Sequence, residues 1–233
     1  MPPSAHPARD LVVATTNRGK LSELVSLLGG LPVEVRGLHD VLSDPPQVLE
    51  DGATLAANAI KKARTAARST NMLALADDSG LEVDALDGLP GVRSARFASE
   101  HATDAENIAA LLQAIERSNK PPPLSARFRC VLAVVDPRSP GRAPWTVEGV
   151  CEGTIITTPR GRLGFGYDPI FVVGGKDHTM AELTAAEKNA VSHRAQAMAR
   201  LRPLLARALA EGGVGLRQGR GTGHKVPRGE PVR

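Results

Sequence analysis

A handful of short polar runs in this chain carry the residue types and spacings that chemistry on a phosphorylated ligand requires. Two adjacent carboxylates, Asp77 and Asp78, follow the apolar run 72–76 and lead into Ser79 and Gly80. Strand ends that break into Asp and Gly are where α/β proteins build sites. Neighbouring carboxylates repel, and a metal ion or a cation satisfies both; the same residues also read as a solvated turn after a strand. Glu50-Asp51-Gly52 precedes an Ala-rich stretch, and a carboxylate there could join Asp77 or Asp78 in an oxygen-ligand magnesium site, or simply mark a surface turn.

Three further runs would serve a nucleotide. Thr15-Thr16-Asn17-Arg18-Gly19-Lys20 brings backbone N–H groups, a permissive glycine and a lysine to the start of a helix, where a polyphosphate could sit. The spacing is not that of a P-loop, because Leu21 stands where Ser or Thr would hold magnesium, and Asn-x-Gly is also a common capping turn. Phe165-Gly166-Tyr167-Asp168 places an aromatic between glycines, suited to stacking on a planar base; packing in a core is the other fate of such rings. Lys188 and Ser192 share a helix face bordered by His193 and Arg194, donors suited to the 6-oxo group of a purine if that face turns inward and otherwise a solvated surface.

The elements that must position these residues follow from periodicity. An apolar strand at 11–14 feeds a turn and a helix with Leu21, Leu24, Val25 and Leu28 on one face, ended by Gly29-Gly30. Residues 31–51 read as irregular, and 54–68 as a second helix. A strand at 72–76 ends in the aspartates, and a separate short strand covers 81–86. Thr103 and Glu106 form a capping box for a helix with Ile108, Leu111, Leu112 and Ile115 on its apolar face. Strands at 128–135 and 145–156 form an antiparallel hairpin, 170–173 is a short strand, and Thr184 with Glu187 opens a single last helix reaching about residue 210. The expectation is an α/β domain over 11–211 with a mixed central sheet flanked by helices, preceded by a flexible segment 1–10.

Composition excludes several classes. With 42% hydrophobic and 23% charged residues the chain is an ordinary globular protein. Its net charge of +4 is not a nucleic-acid footprint: in residues 212–233 five basic residues face the single Glu230, so the folded part is neutral and the Gly/Pro-rich tail is expected to be disordered. No apolar run is long enough to span a bilayer, and Cys130 and Cys151 read as reduced buried thiols, so a cytoplasmic setting is expected, with no membrane and no specific nucleic-acid partner.

Taken together, segments 14–20, 50–52 with Asn58-Ala59, 76–96, 164–171 and Glu187-Lys188 with 192–194 occur in the order found in the inosine/xanthosine triphosphate pyrophosphatases, and the chain resembles that family over about residues 11–205. Members hydrolyse deaminated purine nucleoside triphosphates such as ITP, dITP and XTP to the monophosphate and pyrophosphate. The resemblance implies a two-lobed α/β fold with the nucleotide in the cleft, a homodimer and a magnesium cofactor. It implies that Thr15, Thr16, Asn17, Arg18, Gly19 and Lys20 bind the triphosphate, that Glu50 with Asp78 or Asp77 holds magnesium, and that Asp78 is the base. Ser79, Phe165, Gly166, Tyr167, Asp168, Lys188, His193 and Arg194 would then contact base, sugar or phosphate, with Lys20 and Lys188 facing the leaving pyrophosphate. Thr16 stands where the family usually has Gly or another small residue, and Ala57 replaces a frequent acidic residue. A nucleotide sensor without turnover and a pyrophosphatase for other modified nucleotides are the alternatives.

Overall fold

A computed structural model describes residues 8–211; the basic tail lies outside the described residues. Six strands form one mixed sheet in the order β2-β1-β3-β4-β5-β6. Strand β1 (Arg9–Val13) runs parallel to β2 (Val33–Gly37) and to β3 (Leu73–Val83), joined to β2 through helix α1 (Arg18–Leu28). Strands β4 (Leu124–Val135), β5 (Trp145–Ile155) and β6 (Phe171–Val173) continue antiparallel.

Packing divides the long strands into two lobes. On one face of β3, Leu73 and Leu75 pack with Leu24 and Leu28 of α1 and with Met198 and Leu201 of α6 (His193–Glu211). On the other, Ala74 and Ala76 meet Ala59, Ala63, Ala66 and Ala67 of α3 (Leu55–Thr70), where small side chains let helix and sheet approach closely. Further along the strand, Leu81 and Val83 join a separate core with Leu111 and Ile115 of α4 (Asp104–Ser118) and with Phe128, Tyr167 and Phe171. The four residues between these cores, Asp77 to Gly80, lie where the lobes meet.

Several elements differ from the sequence reading. Strand β3 does not stop at the aspartates: each residue from Ala74 to Val83 has a ladder partner on β4, so the separate strand expected at 81–86 is the end of β3 followed by a 3₁₀ turn, Asp84–Leu86. Strand β1 starts at Arg9, whose guanidinium pairs with Asp136 at 2.6 Å, two residues before the expected start and inside the segment expected to be flexible. The region expected to be irregular holds β2, an edge strand of alternating Val33-Glu34-Val35-Arg36, and the short helix α2 (Leu38–Val41). The last helix is two helices, α5 (Ala185–Val191) and α6, because Ser192 adopts an extended backbone (φ −67°, ψ 157°) and its hydroxyl accepts the Ala195 N–H at 3.2 Å as a new N-cap.

Candidate active site

Alternation along β3 sends Asp77 and Asp78 to opposite faces of the sheet. Asp77 is fully buried and surrounded by donors. Lys20 Nζ lies 2.5 Å from Oδ1, while Oδ2 accepts from Arg194 Nε (3.0 Å), Ser79 Oγ (2.8 Å) and Cys130 Sγ (3.0 Å). Burial alone would raise its pKa, but the Arg194 and Lys20 cations hold the carboxyl well below the usual carboxylate range. Asp77, expected as an alternative metal ligand, carries two cations and two neutral donors on its oxygens and ties α1, β4 and α6 together.

Asp78 faces α3. Lys62 Nζ bridges its Oδ1 (2.7 Å) and Glu50 Oε1 (3.0 Å), whereas Asp78 Oδ2 is buried without a partner. Burial raises the Asp78 pKa against the pull of Lys62 and Lys20. At Glu50 burial acts the same way, yet Lys62, Lys20 and Arg96 prevail and lower it. Burial would likewise drive the Lys62 ammonium down, but Asp78 and Glu50 raise it. Glu50 is fixed through its backbone: Arg96 donates to its carbonyl at 2.5 Å, and Asn58 Oδ1 accepts the Gly52 N–H at 2.8 Å. Asp51 turns outward to Lys61. Lys62 escaped the sequence reading although it left a signal, a lysine on the apolar stripe Ala59, Ala63, Ala66 of α3.

Glu50, Lys62 and Asp78 line a cavity of about 700 Å³ together with Thr15, Thr16, Asn17 and Lys20. Asn17 caps α1, its Oδ1 accepting the Lys20 N–H at 3.0 Å, and this turns the Lys20 side chain toward the sheet. Arg18 and Gly19 line neither this cavity nor the adjoining one. Arg18 is exposed, while Gly19 makes room for Phe165, since a Cβ there would lie 2.5 Å from the ring.

A second cavity, of about 100 Å³, shares Asn17, Lys20 and Ser79 with the first. Phe165 forms one wall, with Lys188 Nζ 4.6 Å and Arg194 Cζ 5.7 Å from its ring centroid. His193 stacks on Phe128 at 4.8 Å and 16°. Burial and the Arg194 charge push its pKa well below the usual histidine range, so the imidazole is neutral, and Nδ1 has no partner. Lys188 is buried between Asp168 (2.5 Å) and Glu23 (2.8 Å), and Arg194 also reaches Glu23. Lys188, expected to face the leaving pyrophosphate, is among the residues that line the aromatic cavity and not among those of the wide one. Tyr167 lines the cavity too, but its hydroxyl donates to the Ser94 carbonyl at 2.8 Å and its ring belongs to the α4 core. Asp168 positions the loop, accepting the Phe165 N–H at 3.0 Å. Glu23 was missed because its partners lie more than 160 residues away.

Fold and site define an α/β protein whose cleft has a charged, carboxylate-lined compartment and an aromatic one meeting at Lys20 and Ser79. The profile of the Ham1 family matches residues 11–204, and the chain belongs to that family. It is 52% identical to the dITP/XTP pyrophosphatase of Geobacter sulfurreducens over 192 residues, covering 82% of this chain and 94% of the relative. It is 46% identical to the dITP/XTP pyrophosphatase of Bacillus licheniformis over 200 residues, covering 86% of this chain and all of the relative (100%). Among solved structures, the HAM1 protein from Coxiella burnetii superposes with a TM-score of 0.76 at 44% identity, covering 85% of this chain and 99% of that one. The Staphylococcus aureus Ham1 protein gives 0.73 at 36% identity, covering 86% and 100%. Among the described residues no helix is long and apolar enough to cross a membrane.

Proposed function

We infer that this protein hydrolyses deaminated purine nucleoside triphosphates (ITP, dITP and XTP) to the monophosphate and pyrophosphate, clearing them from the nucleotide pool. The observation that carries the reading is the meeting of two unlike cavities at Lys20 and Ser79, one charged and one aromatic, which matches the division of a nucleotide into polyphosphate and base. The names of the relatives support it.

Pyrophosphate release needs water to attack the α-phosphorus while charge grows on the departing β-phosphate oxygen. Asp78 takes the proton of that water: it lines the wide cavity, and Lys62 fixes its Oδ1. Lys20, held by Asp77, stabilises the leaving group. The donor set fits magnesium, because the Glu50 and Asp78 carboxylates are hard oxygen ligands lining one cavity. Among the described residues no three His, Cys, Asp or Glu side chains cluster around a metal position, which suits a cation that completes its shell with water and substrate phosphates. Bound by Glu50 and Asp78, magnesium would polarise the phosphate and the attacking water.

Selectivity follows from the aromatic compartment. Hypoxanthine and xanthine present an acceptor at the 6-position where adenine presents a donor. Neutral His193 can donate there, and Arg194 has three of its guanidinium nitrogens on Asp77, Glu23 and Ser79 with N–H groups to spare. Leaving such donors unpaired against adenine discriminates by roughly 10⁴-fold. The resemblance adds a homodimer, tested by light scattering, and a cytoplasmic setting, in keeping with free thiols at Cys130 and Cys151.

The deciding experiment measures pyrophosphate and orthophosphate separately with ITP, XTP, dITP, GTP, ATP and dTTP in magnesium. Pyrophosphate from the first three and little from the rest is expected. Orthophosphate release, or tight ITP binding without turnover, overturns the reading.

A further inference from the structure

The loop that carries Phe165 is held by a residue of α4, in the same lobe, that has no role so far. Three of its glycines have left-handed backbones, Gly161 (φ +81°), Gly164 (φ +78°) and Gly166 (φ +61°), and ordering glycine is entropically costly, so this loop conformation must be fixed by contacts. The Arg162 and Leu163 N–H groups donate to the Ala181 carbonyl, and the Phe165 N–H donates to Asp168 Oδ2. A further contact crosses 62 residues of sequence: the Gly166 N–H donates to Asp104 Oδ2 at 2.6 Å. Asp104 stands in the first turn of α4, itself locked by the Thr103–Glu106 capping box, and its carboxylate lines the aromatic cavity. Helix α4 therefore grips the residue next to Phe165, whose ring lies against Gly19 of α1 in the other lobe.

We propose that Asp104 is a positioning residue of the base compartment: by holding the Gly166 N–H it sets Phe165 across the cleft against Gly19, and the discrimination between 6-oxopurine and adenine nucleotides depends on that grip. The inference rests on the nucleotide reading of the site. Asp104 does not reach the wide cavity, so it acts on base binding and selectivity and leaves the chemical step alone.

The test is steady-state kinetics of Asp104→Ala and Asp104→Asn with ITP and ATP, alongside thermal melting. Loss of one charge-assisted hydrogen bond predicts that Asp104→Ala raises the KM for ITP by about tenfold, with kcat within about twofold of the parent. The ratio of kcat/KM for ITP over ATP should narrow by a similar factor. Asp104→Asn keeps an acceptor oxygen in the same place and should recover most of the lost KM and selectivity. A helix-terminal charge with no other duty would lower the melting temperature slightly and move neither KM nor selectivity; that result overturns the proposal, as does equal loss in both variants. If the parent protein binds ITP without turning it over, the functional reading fails, and ITP affinity measured by calorimetry on the same variants still decides the role of Asp104.

Discussion

Asp77 and Asp78 are consecutive in the chain and belong to different environments: Asp77 is sealed under α6 by Arg194 and Lys20, and Asp78 lines the wide cavity on the α3 side, with Lys62 on one oxygen and the other buried without a partner. A strand's two-residue period makes this possible, and under the proposed mechanism it gives the two carboxylates separate duties, one structural and electrostatic, the other chemical.

Asp78→Asn should therefore remove turnover while sparing the fold. The amide keeps the size and the Lys62 contact but cannot take a proton, and loss of a general base costs about 10²–10⁴ in rate. Single-turnover rates and melting curves of the variant check this; a folded Asp78→Asn enzyme with near-parental kcat would falsify the assignment.

Asp77→Asn should instead act on stability. It takes the carboxylate away from Lys20 and leaves Arg194 with Glu23 alone, and breaking such a buried pair costs about 3–5 kcal/mol. The Asp77 carboxyl is held well below its ordinary value of 3.8, so its contribution is complete above that value and is lost as pH falls through the lower folded value. Urea midpoints taken from about pH 6 down to about pH 3 should fall less steeply in Asp77→Asn than in the parent protein.

Lys62→Met should lower kcat by at least about tenfold, because Asp78 and Glu50 then face each other without the ammonium between them. Removing it also favours proton uptake by the carboxylates, so the acid limb of the pH–rate profile should move to higher pH. A profile that keeps its position with kcat intact would exclude Lys62 from the site.

Gly19→Ala separates helix stability from function. The position is helical, and alanine there should leave stability unchanged or raise it by up to about 1 kcal/mol. The new Cβ would lie 2.5 Å from the present Phe165 ring, which must swing away. The KM for ITP should rise several-fold in a protein that melts no lower than the parent, a combination that a packing defect in the core would not give.

Much of this was legible in residue order. The capping boxes at Thr103 and Thr184, the Asn17 cap of α1 and the antiparallel pairing of β4 with β5 all rest on local signals, and each is found. The polar runs that gather at the cleft were also visible, because their types are unusual for strand and helix interiors. Two local signals went unread: the Val33-Glu34-Val35-Arg36 alternation of β2 and the lysine on the apolar stripe of α3.

By itself the sequence determined which residues could bind phosphate, proton and base, and the short-range elements that present them, since capping, periodicity and turn chemistry act within a few residues. Only the tertiary structure decided which of two adjacent aspartates is sealed and which is open. It also decided that Lys188 serves the aromatic side, that Arg18 faces solvent, and that Lys62, Glu23, Arg96 and Asp104 complete the site. Those outcomes hang on ladder register and on contacts between elements far apart in the chain, and electrostatic pairing depends on distances that no local spacing encodes.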